Sequence, residues 1–380
     1  MKKHLLLLLC MLSLSSLWAQ RKYTLSGTVT DRASGEKLLG VDLIIKGTHM
    51  GATTNAYGFY SLTLPEGAYT LQIVSLGYQT IEEPLQLRKN EHRNYQLSQE
   101  DIALEGIEVT AQSAPKVDVR TPQMSVASIP IQTIKKLPVL MGEVDIIKSL
   151  QQLPGVSNAG EASSGFNVRG GAADQNLILL DQATIFNASH LFGFLSIYNA
   201  DAIRDMKLYK GGMPARYGGR ISSVLDVYQK DGNNTQYHGT GGIGSLSSRF
   251  LLEGPIVKDK SSFLIGGRAS YAHLFLKLTD NDNSAYFYDL NMKLHTQVDE
   301  QNSLYLSGYF GRDVFDLSQA FSNSYGNTLV NLRWNHLFSD QLFSNLSLVY
   351  SDYYYGMKID LSGFKWDSWI RNANLLYDFK

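Results

Sequence analysis

The chain of 380 residues has one cysteine, Cys10, and no surplus of either charge, with 34 Lys and Arg against 35 Asp and Glu. Without a basic surplus it is not a nucleic-acid binder. No apolar run reaches the ~18 residues of a membrane helix, which excludes a helical membrane protein. Hydrophobic residues at 44% exclude a disordered chain. No H-E-x-x-H, G-x-S-x-G or G-x-x-x-x-G-K-[ST] occurs, and the eight histidines are scattered. The expectation is therefore no enzyme: no catalytic residue, no metal and no cofactor.

What is abundant is aromatic and glycine: 22 Tyr, 16 Phe and 33 Gly, with only 18% charged residues. That is the composition of a β-protein, and membrane barrels share it. Residues 1–19 read as a secretory leader, with Lys2 and Lys3 ahead of the apolar stretch Leu5 to Leu17 and a cleavage site after Ala19. An uncleaved anchor is the alternative, though the stretch is short for a span. Cys10 lies inside this leader, so the mature chain holds neither a disulfide nor a thiolate metal site.

Residues 20–98 alternate short β-branched or aromatic runs (Tyr23–Thr28, Val41–Ile45, Tyr69–Val74) with turn residues, and Gly35, Gly47, Gly58, Gly67 and Gly77 recur along them. This spacing predicts a small β-sandwich. At Pro65-Glu66-Gly67 a tight turn is expected, with glycine supplying a positive φ. Residues 99–123 read as an extended linker punctuated by Pro115 and Pro122. Within it Leu104–Ala111 is an isolated β-prone piece, suited either to pairing with another protein's sheet edge or to an ordinary linker.

Residues 124–235 mix helix and strand. Val144, Ile146, Ile147 and Leu150 share a helical face ended by Pro154-Gly155. Strands are expected at Phe166–Arg169, Asn176–Leu180, Met206–Tyr209 and Ser222–Tyr228, with a short helix at Asp201–Ile203. From 236 to 380 the alternation is clean. Tyr288, Leu290, Met292 and Leu294 interleave with Asp289, Asn291, Lys293 and His295, and Val330, Leu332 and Trp334 with Asn331, Arg333 and Asn335. Long alternating runs with aromatics near their ends predict a transmembrane antiparallel barrel; a large soluble sheet is the alternative. About seven such strands fit, where a plugged barrel of ~22 strands needs many more, so the chain is expected to hold only the first part of one.

Two patterns carry no weight. Gly239–Gly244 matches G-x-G-x-x-G but is followed by more strand, not a helix. Asp280–Ser284 begins like a calcium loop but has Ala285 and Asn291 at the two defining positions, and is expected to be a hairpin loop.

The stretches "SGTVTD" and "NAYGFYSLTLPEGAYTLQIVSLGY" resemble the non-catalytic carboxypeptidase-regulatory-like domain. The pieces "SLQQLPGV", "GFNVRGG", "LILLDQATIFNASHLFG" and "YNADAIRDMKLYKGGMPARYGGRISSVLDV" resemble the plug of TonB-dependent outer-membrane receptors, in the Bacteroidota arrangement. The resemblance implies a mainly β protein: a small β-sandwich, an α+β plug, then the N-terminal part of a transmembrane barrel. It implies a TonB box at Leu104, Glu105, Ile107, Glu108, Val109, Thr110 and Ala111, with TonB and its ExbB/ExbD energy-coupling complex as partners. It implies a plug motif at Arg169, Gly170, Gly171, Gly211, Gly212, Arg216, Tyr217, Gly218, Gly219 and Arg220, whose glycines make tight turns and whose arginines pair with lumen carboxylates. A ligand loop is expected at Phe186, Asn187, His190, Phe192 and Phe194, contacting a small-molecule or oligomeric nutrient, with outer-membrane lipid around the barrel. The polysaccharide-importing branch carries Gly-Tyr-Gly where this chain has Thr110-Ala111-Gln112, which leaves a polysaccharide substrate and a lipoprotein lid partner open. The implied function is energised nutrient import; signal transduction, or a barrel for adhesion or assembly, are the rivals.

Overall fold

The computed structural model describes residues 21–100, 125–135, 143–160, 165–277, 283–317 and 320–380. The leader, the Leu104–Ala111 segment and residues 280–282 of the calcium-like loop lie outside them. The described residues form two compact units.

The first unit is a sandwich of two four-stranded sheets. One holds β1 (Lys22–Asp31), β4 (Phe59–Pro65), β7 (Glu91–His92) and β8 (Tyr95–Leu97); the other holds β2 (Asp42–Ile45), β3 (Gly51–Thr53), β5 (Gly67–Val74) and β6 (Ile81–Leu87). Alternate residues such as Leu43 and Ile45, Leu62 and Leu64, and Leu71 and Ile73 turn inward and close a common core with Leu25, Val29 and Tyr60. Gly58 takes a positive φ of 71°, and Asn55 caps that turn by accepting from the amides of Tyr57 and Phe59. Gly67 does not adopt the positive φ expected of it. Its lack of a side chain instead clears the Tyr69 ring, which a Cβ would meet at 3.2 Å and whose hydroxyl donates to the Pro65 carbonyl.

β1 pairs with β7 at Leu25 and Ser26 and with β8 from Val29 onward. Gly27 sits where the partner strand changes, and a Cβ there would lie 1.8 Å from the Arg93 carbonyl oxygen. Gly27→Ala is expected to destabilise this unit by about 2 kcal/mol or more through forced overpacking, read as faster proteolysis of residues 21–100 in the intact protein.

The second unit joins an α+β region to a long sheet. Its five-stranded sheet runs β13 (Ala183–Thr184), β12 (Asn176–Leu180), β17 (Ser223–Gln229), β16 (Ile203–Tyr209), β9 (Val126–Pro130), with β12 and β17 parallel. Short helices α1 (Ile131–Ile134) and α2 (Ile146–Leu150) bury Ile131, Ile134, Ile146, Ile147 and Leu150 against it. Asp145 caps α2, accepting from the Lys148 amide at 3.0 Å. Hairpins β10 (Val156–Asn158) with β11 (Phe166–Val168), and β14 (Ser189–His190) with β15 (Leu195–Ser196), complete the layer. The helix expected at Asp201–Ile203 is a turn: Asn199 accepts from the Asp201 amide, and Ile203 already pairs with Gln229.

The long sheet has eight strands in chain order, one more than the sequence count: β18 (His238–Ile243), β19 (Ser247–Val257), β20 (Ser261–Ser270), β21 (Ser284–Gln297), β22 (Asn302–Leu317), β23 (Phe321–Ser339), β24 (Leu342–Ile359) and β25 (Phe364–Phe379). The first of them, β18, holds the start of the G-x-G-x-x-G pattern: three of its six residues are glycine. Helix α3 (Ala272–Lys277) leads from β20 toward β21. No described helix is long and apolar enough to cross a membrane; the strands are the candidates. Their polarity is inverted. In β21 Asp289, Asn291, Lys293 and His295 are buried while Tyr288, Leu290 and Leu294 are exposed. In β23 Asn331, Arg333 and Asn335 are buried while Val330, Leu332 and Trp334 are exposed. Water would penalise that face; hydrocarbon favours it.

Candidate functional site: the plug and the wall it docks on

The plug-motif residues cluster at one end of the five-stranded sheet. Arg169 has a left-handed φ of 49° and its guanidinium donates to Ser125 Oγ at 2.7 Å. Gly171 is tightly packed: a Cβ would meet Ser222 Oγ at 2.2 Å, and Ser222 itself donates to the Val168 carbonyl. Gly211 clears the Arg169 guanidinium, Gly170, Gly212 and Gly219 adopt positive φ, and Gly218 shows neither constraint. Arg216 lies over the Tyr217 ring at 4.8 Å and donates to its hydroxyl, while Arg220 donates to the Gly219 carbonyl. Tyr217 and Tyr228 both donate to Asp226 Oδ2, at 2.6 and 2.7 Å. Burial pushes the Asp226 carboxyl above its usual range although both phenols oppose that. Among the described residues, these hydrogen bonds of Arg169, Arg216 and Arg220 lie within the plug.

The wall is reached by other residues. His190 is buried, with Nδ1 2.7 Å from Asp313 Oδ2 and Nε2 3.1 Å from Asp289 Oδ2. Its ring stacks on Phe287 at 4.2 Å. Arg268 donates to the same Asp289 oxygen at 2.9 Å and reaches back to the Ser196 carbonyl at 3.0 Å. A second network centres on Lys293, which is 1% exposed. Its Nζ lies 2.9 Å from Asp231 and 3.4 Å from Asp181, and donates to the Gln229 carbonyl at 2.8 Å. Asn331 donates to the Asp181 carbonyl, and Asn291 to Gln229 Oε1. A third joins Arg249 of β19 to Asp201 at 3.0 Å and Glu143 at 3.6 Å, with Lys135 also on Asp201.

These docking residues escaped the sequence reading. Their signal was there: charged groups on the polar face of a barrel strand must find partners inside the lumen. Only His190 stood among the candidates, as a ligand residue. The structure puts it in the docking contact, while Phe192 and Phe194, 45% and 50% exposed, form the open part of the loop. Phe186 and Asn187 flank it: Asn327 accepts from the Phe186 amide and donates to the Asn187 carbonyl.

These features define a barrel wall with a folded plug against its polar face. A CarboxypepD_reg-like domain model matches residues 25–109 and a TonB-dependent Receptor Plug Domain model residues 118–224. TonB-dependent receptor P3 of Formosa agariphila is 25% identical over 340 residues, covering 87% of this chain and 30% of that protein. TonB-dependent receptor SusC of Bacteroides thetaiotaomicron is 27% identical over 258 residues, covering 65% of this chain and 25% of its own length. The solved siderophore receptor PirA from Acinetobacter baumannii shares the fold at TM-score 0.51 and 20% identity, covering 67% of this chain and 45% of that one. A mutant ferric enterobactin receptor from Pseudomonas aeruginosa gives 0.51 at 16% identity, covering 66% and 46%. The chain thus carries a carboxypeptidase-regulatory-like domain, a TonB-dependent receptor plug domain and part of a barrel, and is similar to TonB-dependent receptors. It spans under a third of the length of these two curated relatives.

Two predictions come from the docking geometry. Arg268→Met leaves the buried Asp289 carboxylate with His190 as its remaining charged partner and removes the donor to the Ser196 carbonyl. It is expected to destabilise the docked plug by about 3 kcal/mol, read as a lower melting temperature of the folded receptor. The second concerns pH. Burial alone would lower the His190 pKa, but Asp313 and Asp289 outweigh it and hold the ring above its ordinary 6.5. A raised folded pKa means its stabilisation is complete below the ordinary value and is lost as pH rises through the folded one. Protease resistance of the plug should therefore fall from neutral toward alkaline pH, and His190→Gln should flatten that slope.

Proposed function

We propose that this chain belongs to a receptor that imports a scarce nutrient across the outer membrane, driven from the periplasm. The observation that carries this reading is that a plug sits against the polar face of an inverted sheet, fastened by three networks of buried charges and amides, with Tyr309, Leu329 and Val349 of the wall as the apolar contacts to its core. Such fastenings can be exchanged for water when the plug is remodelled, which an extensive apolar seam would resist. The plug match and the receptor relatives support the same reading.

The energy arrives mechanically. TonB, energised by ExbB/ExbD, pairs edge-to-edge with Ile107–Ala111 and pulls, and the linker transmits the force to the plug. The loop Phe186–Phe194 faces the nutrient, and the leader directs export. Backbone pairing depends on ladder donors, and Val109→Pro removes one. Uptake by cells carrying Val109→Pro should vanish while ligand binding at the cell surface persists. Normal import by that variant would end the proposal.

A further inference from the structure

One face of the Phe186–Phe194 loop leaves space beside its docking contacts. Between the loop and the wall lies a cavity of about 260 Å³, lined by Leu191, Phe192, Phe194, Leu246, Phe315 and Tyr325. Nearly all its lining is carbon. Its carboxylate, Asp313, is already engaged by His190 and by the Leu191 amide at 2.8 Å. The Phe192 and Phe315 rings meet edge to face at 5.1 Å, and the Tyr325 ring is tilted against Phe192 at 5.7 Å.

The backbone beside it is strained. Leu191 and Phe192 are consecutive bulky residues with left-handed φ of 50° and 56°. Residues of this kind avoid that region, and such strain persists where surrounding contacts impose it. Here Asp313 holds the Leu191 amide and the Tyr325 hydroxyl accepts from the Phe192 amide at 2.9 Å. The result is an exposed phenyl group held at the mouth of an apolar cavity.

We infer that this cavity takes an aromatic group of the ligand, up to two fused rings, packed against Phe192 and Phe315, with the Tyr325 hydroxyl donating to one polar substituent. An apolar cavity of about 150 Å³ already takes up benzene, so the volume here suits a two-ring group. A sugar ring is a poor occupant, because its hydroxyls would be desolvated with almost nothing to pair with. The inference deepens the import reading and rests on it only for the claim that the bound group belongs to a nutrient.

The test uses the intact receptor in lipid nanodiscs, with 2-naphthol as probe, empty nanodiscs as blank and saturation-transfer NMR as readout. Saturable binding is expected, weakened about tenfold or more by Phe192→Ala. Ala285→Phe, which fills the cavity from the wall side and leaves the strained loop unaltered, should weaken it similarly. Maltotriose should not displace the probe. No saturable binding to the unaltered receptor, equal binding to Ala285→Phe, or displacement by maltotriose would overturn the inference. Failure here with uptake still abolished by Val109→Pro would leave import standing, whereas binding here with normal uptake by that variant would remove import and keep the site.

Discussion

The second unit depends on a single inversion, with apolar side chains outward and polar ones inward on strands whose backbones are paired to their neighbours. Hydrocarbon leaves no alternative for the backbone, since an unpaired amide there has no water to turn to. It also decides where the charges go. Arg268, Asp289, Lys293 and Asp313 cannot face lipid, so they point into the lumen and must be satisfied there. The plug supplies the answering groups: His190, Asp181, Asp231 and the carbonyls of Ser196 and Gln229. Wall and plug are chemically incomplete without each other on this face.

Strain concentrates where the two meet. Asp181 and Gln182 form the turn between β12 and β13 with φ of 46° and 72°, a conformation that hairpins usually give to Asn or Gly. Asp181 keeps it because its carboxylate accepts from the Gln229 amide and pairs with Lys293. Leu191 and Phe192 repeat the device through Asp313 and Tyr325. In both cases the docking contacts hold a local conformation that the loop would not choose alone.

Much of this fold was legible in the sequence because period-2 alternation is a local signal. The runs at Asp289–His295 and Asn331–Asn335 show it without knowledge of their partners, and so do the sandwich strands at Val41–Ile45 and Tyr69–Val74. The glycine-rich first barrel strand has few side chains to alternate, and was legible only because strand, not helix, follows its G-x-G-x-x-G pattern. The turn at Asp201 was misread because three residues hold too little periodicity to separate a helix from a turn. Site residues were harder still. The bond of Arg169 to Ser125, 44 residues away, leaves no mark in the spacing of either. Lys293 stood on the polar face of its run, and only the fold brings Asp231 to it, as it brings Asp289 to Arg268. Pairing across a hundred residues or more, as between His190 and Asp313, leaves no trace in spacing.

A buried ion pair is weak evidence for stability, since apolar groups of the same shape often hold as well or better. The abundance of such pairs between plug and wall therefore asks for another reason than strength. Reversibility supplies one. A salt bridge opened in a lumen that admits water is rehydrated, and its two ends can pair again when the plug returns. An apolar seam opened in the same place exposes surface whose cost grows with area and drives the chain toward non-native contacts. Most of the plug's apolar side chains bury one another, Ile146, Leu150, Phe166, Ile203 and Leu225 among them, and only Tyr309, Leu329 and Val349 join that cluster as buried residues of the described wall. The plug turns the Ser196 and Tyr198 carbonyls toward Arg268, the Gln229 side chain toward Asn291 and Asp231 toward Lys293. The remodelling proposed for this plug would be well served by that division.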